Sequence, residues 1–104
     1  MDRYYIEVGG YVYVTQRTTL EQSPLLARFI QTHDDPDNMI FIDRDAQAFY
    51  HVLNYMRTGS VFVGSDDRSY VEHLIAEANY YQLHSMVEQL NLQINGGKMN
   101  IKRV

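Results

Sequence analysis

The chain contains no cysteine among its 104 residues. Disulfides, thiolate nucleophiles and zinc sites built on cysteine are thereby excluded. Excess positive charge is missing too: 9 Lys and Arg stand against 13 Asp and Glu, a formal net charge of −4. Duplex nucleic acid and anionic membranes both demand a basic footprint, so neither is expected as the main partner. No apolar run approaches the ~20 residues of a membrane-spanning helix. The first residues lead straight into a strand-like pattern, without the apolar core of a signal peptide. A cytoplasmic domain is the expectation, with the nucleus also compatible.

Chemistry-bearing motifs are equally scarce. The four histidines fall on separate predicted elements, His33 in a loop, His51 and His73 on two helices and His84 at the start of a third. Val8-Gly9-Gly10-Tyr11 lacks the lysine and spacing of a phosphate loop, and no serine sits in a nucleophile-elbow context. His33, Asp34, Asp35 and Asp37 could surround a cation, but an acidic turn is ordinarily just solvated. No catalytic, cofactor or metal site is expected, and the chain reads as a non-enzyme.

What is present is a well-punctuated single domain, 45% hydrophobic and 21% charged, long enough to bury roughly 60% of its unfolded surface. Tyr4, Ile6 and Val8 alternate with Tyr5 and Glu7, the period of a half-buried strand. Gly9-Gly10 predicts a hairpin turn into Tyr11–Thr15. Thr19 and Gln22 stand at capping-box spacing around a short helical turn. Ser23-Pro24 restarts a helix as cap and first residue, with Leu25, Leu26, Phe29 and Ile30 as its buried face. Thr32–Asn38 is a turn-rich acidic loop.

Met39–Ile42 predicts a third strand. Asp45 caps a helix whose Phe49, Val52, Leu53 and Met56 recur at helical spacing, and Gly59 supplies its left-handed stop. Val61–Val63 predicts a brief strand or edge. Asp66 or Asp67 caps the next helix, with Val71, Leu74, Ile75 and Ala78 on its apolar face. Tyr80-Tyr81-Gln82 interrupts it, and Leu83, Met86, Val87 and Leu90 define the last helix. Asn95-Gly96-Gly97 is expected to release a flexible basic tail over 95–104, leaving 1–94 as the domain. The order β-β-α-β-α-(β)-α-α predicts a mixed α/β (α+β) fold, helices clustered on a small sheet.

These pieces in this order resemble the BTB/POZ domain, in its potassium-channel tetramerisation branch. The resemblance rests on Ile6-Glu7-Val8-Gly9-Gly10 with Tyr13 and Thr15, Thr19-Leu20, Phe41-Ile42-Asp43-Arg44-Asp45, Val52–Gly59 and Glu77–Leu83, and covers about residues 4–92. Ala46 departs from the family's frequent proline, as does the stretch after Gly59. The histidine–cysteine zinc cluster of some channel relatives cannot form here, so subunit contacts would be metal-free. The resemblance implies a self-assembling, non-enzymatic module, tetrameric in channels and often pentameric in soluble relatives, several of which bind a cullin as ubiquitin-ligase substrate adaptors. The triplet and the Leu53–Gly59 helix end look closer to those soluble relatives. The alternative, a channel-assembly domain, expects this chain to be a piece of a longer membrane protein.

Asp43, Arg44, Asp45 and Arg57 are the leading interface candidates. Their plain reading is a helix cap and salt bridges within one molecule. The sharper reading is a network between copies around a ring, which needs two unlike, complementary flanks on each copy. Asn54, Glu77, Asn79 and Tyr80 form a second candidate set, with Tyr81 assigned to the core. For a cullin, the resemblance points to the loop before the third strand, with His33, Asp34 and Asp35, and to Phe62. The plainer expectation is that Phe62 closes the core.

Overall fold

The computed structural model describes residues 2–33, 36–64 and 66–101, the last six by backbone alone. Its elements are β1 (Arg3–Val8), β2 (Tyr11–Gln16), α1 (Arg17–Leu20), α2 (Pro24–Thr32), β3 (Met39–Ile42), α3 (Ala46–Thr58), α4 (Arg68–Tyr80) and α5 (His84–Ile101). This is the expected α+β architecture. Asp34, Asp35 and the terminal residues 102–104 lie outside the described residues.

Gly9 and Gly10 take φ of +53° and +94°, the left-handed pair that a two-residue hairpin turn requires. β2 therefore folds back antiparallel on β1, with Ile6 opposite Tyr13 and Val8 opposite Tyr11. β3 adds to the other side of β1, parallel to it, with Ile40 beside Ile6 and Ile42 beside Val8. A parallel return needs a crossover, and α1 and α2 supply it. Ile6, Val8, Ile40 and Ile42 are buried on the inner face.

The helices close over that face. α3 contributes Phe49, Val52, Leu53 and Met56, α4 contributes Val71, Leu74 and Ala78, and α5 contributes Met86 and Leu90, all buried. Ser23 is fully buried. Its Oγ accepts from the Leu26 N–H at 3.2 Å, capping α2, and donates to the Tyr81 carbonyl at 2.7 Å. One hydroxyl thus fastens the start of α2 to the α4–α5 junction. Asp45 caps α3 through the Gln47 N–H, Asp67 caps α4, and Gly59 ends α3 at φ 82°.

Several expectations are corrected. The capping box is not formed: α1 begins at Arg17 after an uncapped Gln16, because the Arg17 N–H is held at 2.7 Å by the Asp2 carbonyl as the strand ends. Phe29 is exposed. The buried stripe of α2 is only Leu26 and Ile30, and the Phe29 ring instead stacks on His33 at 4.0 Å.

Among the described residues, Val61–Val63 joins no sheet. Glutamines one helical turn apart on α5 occupy its backbone: Gln89 Oε1 accepts from Val61 N–H at 2.9 Å and Gln93 Oε1 from Val63 N–H at 3.1 Å. α5 itself runs through Gly96 and Gly97 to Ile101. Two glycines cost about 1 kcal/mol each in a helix interior, which weakens the helix without forbidding it.

Candidate self-association surface

The segment between β3 and α3 places the charged triplet. Arg44 turns inward over α4, with Nη2 at 2.7 Å and Nε at 3.3 Å from the two carboxylate oxygens of Glu77. Its guanidinium carbon lies 4.0 Å from the centre of the Tyr80 ring. Glu77 is buried, and Arg44 is half-buried. The Glu77 hydrogen bond raises the Arg44 pKa above its ordinary value, outweighing the opposing effect of burial. A forked pair of this kind fixes geometry as well as charge.

Asp45 serves two helices. One carboxylate oxygen caps α3, and the other lies 2.7 Å from His73 Nε2 on α4. The His73 hydrogen bond, then the Gln47 N–H, hold this carboxyl below its ordinary pKa against the opposing effect of desolvation. Nearby, the Tyr13 hydroxyl donates to the Ala46 carbonyl at 2.7 Å. Burial pushes that phenol up. The hairpin turn packs directly beneath: a Cβ on Gly9 would come within 2.6 Å of the Arg44 carbonyl oxygen. Glycine is therefore required there by backbone approach as well as by its φ.

Of the sequence-predicted residues, Arg44, Glu77 and Tyr80 form one cluster, joined to Asp45 only through the triplet and α4. Their mutual contacts lie within one molecule. Asp43 is exposed and holds no partner among the described residues. Arg57 lies at the far end of α3, about 18 Å from the cap at 1.5 Å per residue, where it donates to the Val14 carbonyl at 3.2 Å. Asn54 is half-buried, Asn79 is exposed and Tyr81 is fully buried. His33 is exposed. Phe62 is 80% exposed and does not close the core; Val63 beside it is buried instead.

A larger surface went unread in the sequence. With helices on one face only, the sheet leaves Tyr5 flanked by Val14 and Met39, and Glu7 flanked by Val12 and Phe41, on its outer face. Val12 is 60% and Phe41 63% exposed. An antiparallel or mixed sheet normally turns polar side chains to water on its open face. The signal was available: Tyr11-Val12-Tyr13-Val14 and Met39-Ile40-Phe41-Ile42 are apolar at both parities, as strands covered on both faces are.

The two ends of this face differ. Arg3 begins β1, and Arg57 reaches the Val14 carbonyl at that same end. Asp43 follows the far end of parallel β3, beside the turn at Gly9. Among the described residues no group of three or more His, Asp or Glu is placed to hold a metal ion, and no helix is long and apolar enough to cross a membrane.

The family model of the BTB/POZ domain matches residues 5–90. The human potassium channel regulatory protein is 34% identical over 92 residues, covering 83% of this chain. The chain spans 34% of that relative's length. With the sheet order, the Asp43–Asp45 triplet and the Arg44–Glu77 anchor in place, the chain belongs to the BTB/POZ family, in its potassium-channel tetramerisation branch.

Proposed function

We propose that copies of this domain close into a homo-oligomeric ring of four or five, and that the ring acts in the cytoplasm as a substrate-adaptor scaffold for a cullin-dependent ubiquitin ligase. Membership in a family of protein-interaction domains supports self-association. The observation that carries the ring reading is the open apolar sheet face between an arginine end and an aspartate end. Fully burying a large apolar side chain contributes about 1.5–3 kcal/mol, so covering Val12, Val14, Met39 and Phe41 can hold a contact together. Unlike ends suit a head-to-tail interface, the kind that closes rings. Arg3 and Arg57 of one copy would meet Asp43 of the next, setting register more than affinity. Asn54, Asn79 and Tyr80 would form its polar rim, over the Arg44–Glu77 anchor and the Asp45 cap.

For the cullin, exposed His33 and Phe62 are the proposed contacts, with Asp34 and Asp35 from the same loop. Ring formation would multiply a weak contact into avidity. Titration of the cullin N-terminal domain into the assembled protein tests this, and no binding at any concentration of ring ends the adaptor reading. A second reading, which the relative's name as a potassium channel regulatory protein favours, is an assembly domain of a potassium channel or of another scaffold that binds no cullin. Mixed assembly with an isolated channel tetramerisation domain, seen by native mass spectrometry, would favour it.

A further inference from the structure

At the arginine end of the sheet a recess of about 340 Å³ opens beside β2, lined by Arg3, Val14, Thr15, Gln16, Thr19 and Arg57. Thr15 is only 8% exposed, yet its hydroxyl makes no hydrogen bond among the described residues. The same holds for the hydroxyl of half-buried Thr19 and for the carboxamide of Gln16. A buried hydroxyl without a partner is costly, and valine would suit the Thr15 position in a strand equally well. Arg3 and Arg57 are exposed, and neither forms an ion pair among the described residues. Arg17 on α1, by contrast, is answered by Glu21 at 3.0 Å. Arg57 uses one N–H on the Val14 carbonyl at 3.2 Å, which steadies its guanidinium and leaves the rest of the donor fork open.

We propose that this recess binds a phosphate group, as free phosphate or as the monoester of a small molecule. The occupant follows from the groups on offer. Guanidinium forks pair with planar carboxylates or with phosphates, and the lining divides between these two. A carboxylate brings one charge and two oxygens to a pair of arginines. A phosphate dianion brings a second charge and further acceptor oxygens, enough for the Thr15 and Thr19 hydroxyls and the Gln16 amide as well. Val14 is the only apolar residue in the lining, so nothing there suits an extended apolar ligand. Binding depends neither on ring closure nor on a cullin. One consequence does rest on the ring reading: that reading sets Arg3 and Arg57 against Asp43 of the next copy, so a bound dianion would compete with that contact.

The test is an NMR titration of ¹⁵N-labelled protein with inorganic phosphate and, separately, with glycerol 3-phosphate, chloride holding the ionic strength constant. It is run on the parent protein and on Phe41→Glu at dilutions where light scattering gives a single-chain mass. The expected result is a saturable millimolar shift of the Thr15 amide and the Arg57 Nε–H, with the Phe49 amide unmoved. Arg57→Gln should abolish it while the folded spectrum persists. Thr15→Val keeps the shape of the side chain and should bind about ten-fold more weakly, the effect of one lost hydrogen bond to a charged group. Equal affinity for the two probes assigns the site to free phosphate, and tighter binding of the ester assigns it to a phosphorylated small molecule. Saturation in the single chains alone supports the site and shows that assembly covers it. No saturable shift in the single chains, the same shift with chloride, or undiminished binding by Thr15→Val overturns the proposal. Bound phosphate that leaves the mass of a ring unchanged contradicts the Asp43 contact and not the site.

Discussion

At the residue scale, Arg44 and Glu77 illustrate how a charge that the sequence advertises as interfacial can first be structural. Removing Arg44 leaves a buried carboxylate unpaired. Arg44→Ala should therefore cost about 3 kcal/mol in urea unfolding, and Glu77→Ala added to it should restore part of that loss. Tyr81 presents the opposite case. Its hydroxyl is buried without a hydrogen-bond partner among the described residues, and burial pushes its pKa above the ordinary phenol range. Tyr81→Phe should raise stability by about 1 kcal/mol by removing an unsatisfied polar group. Asp45 makes a pH prediction. Its folded pKa is depressed, chiefly by His73, so its contribution is present above the unfolded carboxyl value of about 4. It is lost as pH falls through the lower folded value. Asp45→Asn keeps a good cap, and the urea midpoint of this variant should fall less between pH 5 and pH 3 than that of the parent protein.

At the element scale, most boundaries were legible because local chemistry sets them. Gly9-Gly10, Ser23-Pro24, Asp45, Gly59 and Asp67 each satisfy or permit backbone geometry at their own position. What escaped the sequence depends on distant partners. Nothing local announces that Gln89 and Gln93 will hold residues 61–63, or that His73 will meet Asp45 across 28 positions. The α4–α5 junction is a further example. Leu83 N–H bonds the Ala78 carbonyl at 2.9 Å and Gln82 N–H the Asn79 carbonyl at 3.0 Å. That is the helix-ending pattern in which glycine usually takes the left-handed position, yet Gln82 occupies it at φ 62°. Gln82→Gly should relieve that strain and stabilise the fold by about 0.5 kcal/mol, despite loss of the exposed 3.3 Å bond from Arg28. Thermal unfolding measures it.

At the scale of the whole molecule, the interface candidates divide between two ends of the sheet. Asp43 stands at one end of the sheet, Arg57 at the other, and the apolar strip between them was hidden by reading each strand for a single buried face. The strip matters more than the charges in this account. Phe41→Glu should break self-association while leaving far-ultraviolet circular dichroism unchanged, since the side chain touches no core. Arg57→Glu should weaken assembly by reversing one end. The most direct test of ring closure is light scattering of the unmodified protein across a dilution series. A constant mass of four or five times the single chain is the predicted result. A single-chain mass at every concentration would contradict it.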